Sequence, residues 1–446
     1  MKNLSLILTS RNLKISRAAF YVWIWGILSL VIPSNSLARI YLDINAPSIE
    51  RIKIAIPDFK NLSKEKEHPE FAKALPEVLS QDLDMSGYFL SMDKSAFLTT
   101  EVPESPGSVR FKEWSVIGAE LLIRAGYTTI GRSIELEVWL YDVYRGSQIM
   151  GKRFLGKSED HRELMHRVGN EIIYRSTGHR GIFLTKLAFV GTATGNKEIY
   201  IADYDGHNVR RITRDNSIAL FPRWSPKGKH LLYNSYKDGG PMLYMKDMSS
   251  GEVKRLSARQ GLNIGASWTP DGNSIVLTLS HRGNPDIYHI DLKGKIKSQL
   301  VDHWGIDVSP TFSPDGKKIA FVSNRSGSPQ IYVRDLEKGQ EERVTFSGKY
   351  NTSPSWSSMN RIVYSGMNNG YFDIFTINPD GSNLRQLTEN QGKNEDPCWS
   401  ADGRYIVFSS NRDGGYHLYI MNANSQNQKQ IMRSEGEQTS PSWSPL

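Results

Sequence analysis

Hydroxyl and acidic residues recur together in this chain. The stretch FSPDGKKIAF (312–321) places Ser313 two residues before Asp315, and a hydroxyl beside a carboxylate could support nucleophilic or acid–base chemistry. Equivalent hydroxyl and acid pairs recur at 269 and 271 and at 400 and 402. A catalytic residue is needed once, whereas a turn is needed in every repeat. We therefore interpret the pattern as turn chemistry.

The histidines, the cysteine and the other acids offer no stronger catalytic pattern. His161 and His166 are five residues apart on a predicted helix, so they do not form the i, i+4 pair of a metal site. The sequence has no H-E-x-x-H, G-x-S-x-G or P-loop motif. DYDG (203–206) lacks the later ligands of a calcium loop and predicts a hairpin turn. Cys398 is the only cysteine, which excludes an intramolecular disulfide, and we expect it as a small buried side chain on a strand. We predict no catalytic residue, cofactor or metal.

The first 38 residues have the order of a secretory signal peptide. Four basic residues and no acid accompany a fifteen-residue apolar run (18–32), and Ser36 and Ala38 supply the small residues of a cleavage site. An uncleaved membrane anchor is the alternative, but this run is shorter than the roughly 20 residues that span a bilayer. We predict cleavage after Ala38 and export.

The net charge argues against a nucleic-acid partner. The precursor carries +8, of which the four basic residues of the signal peptide supply half, leaving +4 for the mature chain. The lysines and arginines are scattered among acids rather than clustered into a basic patch.

A repeat of about 44 residues dominates the second half of the chain. Each repeat reads as an aromatic anchor, a Gly-containing turn and short apolar strands, which is typical of a four-stranded propeller blade. The anchors are Trp224, Trp268, Phe312, Trp356, Trp399 and Trp443. In each repeat three further strands follow the anchor. The first such set of three (185–213) has no anchor before it, and the last anchor has no strands after it. We therefore predict that the C-terminal strand completes the first blade and closes a six-bladed ring.

The fold class follows from these two halves. Residues 39–180 lack the repeat and combine strand and amphipathic-helix patterns, which predicts a compact α/β domain. Residues 181–446 form the predicted six-bladed β-propeller closed by its C-terminal strand.

One ring of six residues, five of them polar, precedes the anchors by five positions. A wide ring of hydrogen-bonding groups without a nucleophile or an acid–base pair favours protein or glycan recognition over catalysis. Propeller loops are also polar simply because they contact water, and that alternative stays open here. The ring consists of Ala219, Asn263, Asp307, Asn351, Asn394 and Gln438.

The anchor repeat, the preceding α/β domain, the signal peptide and the terminal SPSWSPL (440–446) together resemble the TolB family. These are periplasmic propeller proteins of the Tol–Pal system. The resemblance implies a non-enzymatic, monomeric adaptor that maintains outer-membrane integrity and constriction during cell division, with only partner-mediated association with the outer membrane. The rival class is a glycan-binding or polysaccharide-cleaving propeller.

The resemblance also implies two partner sites. A Pal-like peptidoglycan-associated lipoprotein would bind propeller loops, and a TolA-like inner-membrane protein would bind the mature N-terminus, Arg39, Ile40, Tyr41, Leu42 and Asp43. The blade at Trp356 departs from the family pattern because WSSMNR lacks the P-D-G turn. The expected Pal-like contacts are Leu262, Asn263, Gly265, Asp307, Val308, Ser309, Asn351, Ser353, Asn394 and Gln438.

Overall fold

The structure, a computed structural model, describes residues 50–98, 109–432 and 435–446. The predicted signal peptide (1–38) and the predicted TolA-like segment (39–43) lie outside these ranges. No helix within these ranges is long and apolar enough to cross a membrane.

The N-terminal domain is built on a mixed six-stranded sheet. Strand β1 pairs in parallel with β3 and β4, and β4, β5 and β6 form an antiparallel meander. In β5 the alternating residues Ile134, Leu136, Val138 and Leu140 are all buried, as the period of two requires. The strands are β1 (Ile52–Ala55), β2 (Lys60–Asn61), β3 (Phe89–Ser91), β4 (Leu121–Ile130), β5 (Ser133–Asp142) and β6 (Ser147–Lys157).

Three α-helices accompany this sheet: α1 (Phe71–Met85), α2 (Phe111–Val116) and α3 (His161–Thr177). Helices α1 and α3 pack against each other and against the sheet. Leu164, Val168 and Ile172 of α3 are buried together, because residues four apart share a helix face. The helix ends at Gly178, whose φ of 78° allows its N–H to bond Tyr174 O at 2.8 Å.

The propeller consists of six four-stranded antiparallel sheets, as predicted. The second strand of each blade is almost wholly buried, which explains its continuous apolar sequence. Blades two and three are β10 (Ala219–Trp224), β11 (His230–Ser235), β12 (Met242–Asp247), β13 (Val253–Ser257), β14 (Asn263–Trp268), β15 (Ser274–Leu279), β16 (Asp286–Asp291) and β17 (Ile296–Val301). Blades four, five and six are β18 (Asp307–Phe312), β19 (Lys318–Ser323), β20 (Gln330–Asp335), β21 (Glu341–Arg343), β22 (Asn351–Trp356), β23 (Ile362–Asn368), β24 (Tyr371–Ile377), β25 (Arg385–Gln386), β26 (Asn394–Trp399), β27 (Tyr405–Ser410), β28 (His417–Asn422) and β29 (Lys429–Gln430).

Blade one joins the two ends of the propeller. It comprises β7 (Lys186–Gly191), β8 (Glu198–Asp203), β9 (Arg210–Arg211) and the C-terminal strand β30 (Gln438–Trp443). Strand β30 pairs antiparallel with β7, placing Trp443 opposite Leu187 and Gln438 opposite Gly191. This pairing confirms the predicted closure. The boundary predicted at 180/181 remains a prediction, set in the connection between α3 and β7.

The S-P-D-G motif is a turn. Ser313 Oγ donates to Asp315 Oδ1 at 2.6 Å, and Gly316 has a φ of 72° with its N–H on Ser313 O. The same hydroxyl–carboxylate bond joins Thr269 to Asp271 and Ser400 to Asp402, each at 2.6 Å. These groups hold turns in three blades, which supports the structural interpretation of the motif.

The N-terminal domain packs on one face of the propeller, where the first-to-second and third-to-fourth strand turns lie. Tyr405 Oη donates to Ser86 O at 2.8 Å, and Asn427 Nδ2 lies 3.1 Å from both Asp84 O and Met85 O. The opposite face carries the other connections, and the described part of the N-terminal domain does not cover it. We call that opposite face the loop face.

Candidate partner-binding face

The first strand of every blade begins at the loop face. Asp307 pairs with Ser323 and Asn351 with Gly366, so these starts lie beside the connections that follow the second strands. The ring of residues at these starts is buried, each side chain at most 1% exposed. Solvent contact therefore does not explain the polarity of the ring.

The ring residues connect loops and neighbouring blades. Asn351 Nδ2 donates to Gln330 Oε1 of blade four at 2.8 Å, and His417 Nδ1 of blade six lies 2.8 Å from Gln438 Oε1. Asn263 accepts from Ser257 Oγ at 2.6 Å, within the loop that enters its strand. A buried amide must be hydrogen-bonded, and each of these bonds fixes one blade against a loop or its neighbour.

Asp307 belongs to an internal ion pair. Its Oδ1 accepts from Arg325 Nη2 at 2.9 Å, and Arg325 also contacts Glu341. Burial raises the pKa of the Asp307 carboxyl, and the bonds from Ser323 and Arg325 oppose that rise. A charge reversal at Asp307 would bury two cations together and so disrupt blade four, which makes Asp307 unsuitable for testing partner contact.

The other predicted contact residues reach the surface in part. Leu262, Val308, Ser309, Gly265 and Ser353 are half-buried. Ser309, Gly265 and Ser353 share the third position of their strands and have φ values of 55°, 62° and 51°. The same left-handed backbone recurs at Phe221, Asp396 and Ser440, and the pairing register shifts there in all six blades.

These bulges line a central channel. Asp396 accepts from Ser353 Oγ at 2.9 Å and from Ser440 Oγ at 2.8 Å, which joins three blades around one carboxylate. Cys398 lies on a strand, β26, as expected, but it lines this channel and is half-buried rather than buried. Burial raises the pKa of its thiol, which favours the unreactive protonated form.

Sequence reasoning missed a set of four exposed aromatic side chains on the loop face. Trp304 and Phe346 are 74% and 73% exposed, and Tyr350 and Tyr371 are also exposed. Phe346 is held under Arg343, whose guanidinium carbon lies 4.9 Å from the ring centre, and Tyr350 packs on Phe372. Within the described propeller, the exposed aromatic residues all lie in these loops of blades three to five. We call Trp304, Phe346, Tyr350 and Tyr371 the aromatic rim.

The two histidines of α3 have different surroundings. The ring of His161 packs on Phe71 with 4.9 Å between ring centres, and its Nδ1 lies 3.0 Å from Ser158 O. His166 is buried between Asp82 of α1 and Asp205 of the turn after β8. These partners are 84 and 39 residues away in sequence, so no local pattern indicated them.

Comparison with known proteins agrees with this architecture. A model of the "TolB beta propeller domain" matches residues 174–446, and a model of the "TolB amino-terminal domain" matches residues 40–149. Two similar curated proteins, both named Tol-Pal system protein TolB, come from Desulfosudis oleivorans and Geobacter sulfurreducens. They are each 40% identical, over 48% and 43% of this chain. These matches span about half the length of the relatives, 50% and 44%.

A solved structure covers more of the chain. The crystal structure of TolB from Acinetobacter baumannii superposes with a TM-score of 0.79 at 26% identity, over 89% of this chain and 98% of that one. The propeller model alone matches more than half of this sequence. The chain belongs to the TolB family.

Proposed function

We propose that this chain is a non-enzymatic periplasmic adaptor of the Tol–Pal system. The observation that carries the proposal is the match of both halves of the chain to TolB domain models. Two curated proteins that are 40% identical over nearly half of this chain are named Tol-Pal system protein TolB. In this role the protein binds a Pal-like lipoprotein and a TolA-like protein, and so supports outer-membrane integrity and constriction during division.

The loop face is the proposed site for the Pal-like lipoprotein. Support comes from the aromatic rim, because aromatic side chains are enriched at the centres of protein interfaces. The buried ring residues, Asn263, Asp307, Asn351, Asn394 and Gln438, contribute indirectly by holding the loops. The partly exposed Leu262, Gly265, Val308, Ser309 and Ser353 lie further into the channel mouth and remain proposed contacts.

The mature N-terminal segment Arg39–Asp43 is the proposed site for the TolA-like protein. It contains Ile40, Tyr41 and Leu42 in succession, a strand-like pattern suited to pairing with a partner's sheet edge. Occupation of the loop face by the Pal-like protein would change affinity at this segment if the two sites are linked. Equal TolA affinity with and without the Pal-like protein would refute the linkage.

A pull-down from the periplasm with the tagged mature chain tests the proposal. We expect a Pal-like lipoprotein to be recovered, and Trp304→Ala with Phe346→Ala to reduce its recovery at least tenfold. Tyr144→Ala is the matched control, because Tyr144 is similarly exposed, at 67%, on the N-terminal domain. Recovery of polysaccharide and no lipoprotein would instead favour the alternative, a glycan-binding or polysaccharide-cleaving propeller.

A further inference from the structure

A group of buried polar side chains lies where the N-terminal domain meets blade one. Asp82 comes from α1, Arg162 and His166 from α3, and Tyr204 and Asp205 from the turn between β8 and β9. We call these five residues the junction cluster. Asp82, His166 and Tyr204 are at most 2% exposed. The cluster lies away from the loop face, so the proposed partner sites do not account for it.

His166 is the connecting member of the junction cluster. Its Nδ1 lies 2.9 Å from Asp82 Oδ2, and its Nε2 lies 3.5 Å from Asp205 Oδ2. Tyr204 donates its hydroxyl hydrogen to Asp82 Oδ1, and Arg162 Nη2 lies 2.5 Å from Asp205 Oδ2. The imidazole therefore hydrogen-bonds a carboxylate of the N-terminal domain and lies at ion-pair distance, without a hydrogen bond, from a carboxylate of the propeller.

The proton on His166 decides the charge balance of the cluster. With it, the imidazolium and Arg162 balance the two carboxylates. Without it, the cluster carries one uncompensated negative charge, and whichever imidazole nitrogen has lost its hydrogen turns a lone pair toward a carboxylate. Burying an unbalanced charge is unfavourable, and here it weakens the contact between the two domains.

The other groups that face His166 have shifts of different sign. Burial raises the pKa of Asp82, and the bonds with His166 and Tyr204 oppose that rise. Burial also raises the pKa of Tyr204, which therefore stays a neutral donor. Burial lowers the pKa of His166, but the bond that His166 donates to Asp82 and the charges of Asp82 and Asp205 outweigh it, so the pKa is raised overall. Burial would raise the pKa of Asp205, yet the charges of His166, Arg162 and the half-exposed His207 hold it below its ordinary value. Asp205 is thus ionised and available to stabilise the imidazolium.

We propose that the junction cluster is a proton-dependent contact between the N-terminal domain and the propeller. Protonated His166 holds α1 and α3 against the turn between β8 and β9, and loss of that proton loosens this contact. Because the folded-state pKa of His166 is raised, the stabilisation is fully present below the unfolded value of about 6.5. It is lost as the pH rises through the folded-state value.

A metal ion is the competing occupant. Asp82, His166 and Asp205 offer ligand atoms within 4.8 Å of one another. However, the Asp82 oxygens already accept from Tyr204 and His166, and Arg162 contacts the Asp205 oxygen that a metal would need. A cation would have to displace these donors, so the geometry favours the proton.

Hydrogen exchange of the full mature chain, measured from pH 5.5 to 8.5, tests the proposal. After correction for the intrinsic rate, peptides from α3 and the β8–β9 turn report opening of the junction. In the wild type we expect the opening constant to rise with pH, about tenfold for each pH unit between the unfolded and folded pKa of His166. His166→Gln should open more readily at low pH and show no such rise.

Two further variants make the test specific. His289→Gln is the matched control, since His289 is a half-buried histidine of blade three bonded to Ser274, and it should follow the wild-type profile. Asp205→Asn removes one carboxylate and should move the transition to lower pH, whether or not His166→Gln folds. Parallel profiles for the wild type and Asp205→Asn would overturn the proposal. So would a wild-type profile that changes when EDTA or zinc is added, because that result would indicate a metal site.

Discussion

Replacement of Trp443 tests the closure of the ring most directly. Trp443 is 6% exposed and ends the pairing of β30 with β7, and its Nε1 donates to Thr185 Oγ1 at 2.8 Å. Beyond it, Ser444 N donates to Lys186 O at 2.8 Å. The anchor therefore joins the last residues of the chain to the first strand of the propeller.

The expected cost follows from burial and from this one hydrogen bond. Trp443→Ala removes a buried aromatic side chain, which costs about 3–5 kcal/mol. Trp443→Phe keeps most of the packing and loses the bond, which costs about 1–2 kcal/mol, because Thr185 Oγ1 keeps its bond to Ile182 O at 2.6 Å. Phe312→Ala is the comparison: Phe312 is only half-buried and carries no ring N–H, so about 2 kcal/mol is expected.

Urea unfolding of the mature protein, followed by circular dichroism, gives these free energies. The loss of unfolding free energy should be largest for Trp443→Ala and smaller for Phe312→Ala. Trp443→Phe should lose as much as Phe312→Ala or less. Removal of residues 438–446 should destabilise the protein more than any of these substitutions, since it leaves the apolar strand β7 as an open edge that promotes aggregation. A Trp443→Ala protein that unfolds at the wild-type urea concentration would refute closure by the C-terminal strand.

Three other predictions follow from the propeller. Arg325→Ala should lower the free energy of unfolding in urea by about 3–5 kcal/mol, because it leaves Asp307 buried without its partner. The control Arg132→Ala breaks an exposed pair with Glu159 in the N-terminal domain and should cost under about 0.5 kcal/mol. Gly265→Asn should lower stability by about 1 kcal/mol or less despite a φ of 62°, because the five equivalent positions carry side chains. Gly206→Asn should lower stability much more, since its Cβ would lie 2.1 Å from Ile431 O. Cys398 should react with iodoacetamide at pH 8 more slowly in the native protein than after unfolding, because burial raises its pKa; equal rates would contradict this.

Much of the architecture was predictable because it is repeated. Anchor spacing, turn chemistry and apolar second strands recur in each blade, so six weak signals reinforce one another. Closure followed from an incomplete repeat at each end. The N-terminal domain has no repeat, but alternation in β5 and the apolar stripe of α3 still indicated a sheet and a helix.

The placement of the ring residues was less predictable, for a physical reason. Polar residues before a strand are usually exposed, yet Asn351 and Gln438 are buried because they satisfy backbone and side-chain groups between blades. Recurrence itself was the available signal. A position that is polar in five of six blades has a structural role in the ring, as the repeated hydroxyl–acid turns have. Trp304 and Phe346 do not recur, and they are the exposed residues.

Long-range contacts could not be predicted from one sequence, and the junction cluster is the main example. Its links join α1, α3 and blade one, and no spacing in the chain relates Asp82 to Tyr204, which lie 122 residues apart. The histidine spacing on α3 argued against a shared metal, and that stays a prediction. It carried no information about the carboxylates that surround His166.

Ring closure and the domain junction are connected through one residue, which leads to a last prediction. Trp443 Nε1 bonds the Thr185 side chain at 2.8 Å, while Tyr204 N donates to Thr185 O at 3.1 Å, and the side chain of Tyr204 bonds Asp82. Substitutions within one hydrogen-bond network change the free energy of unfolding non-additively. A double-mutant cycle of Trp443→Phe and His166→Gln at pH 6 should therefore show a coupling of about 0.5 kcal/mol or more in urea unfolding. Trp443→Phe with His289→Gln should be additive, because His289 lies on blade three. Additivity in both cycles would show that closure of the ring and docking of the N-terminal domain are energetically independent.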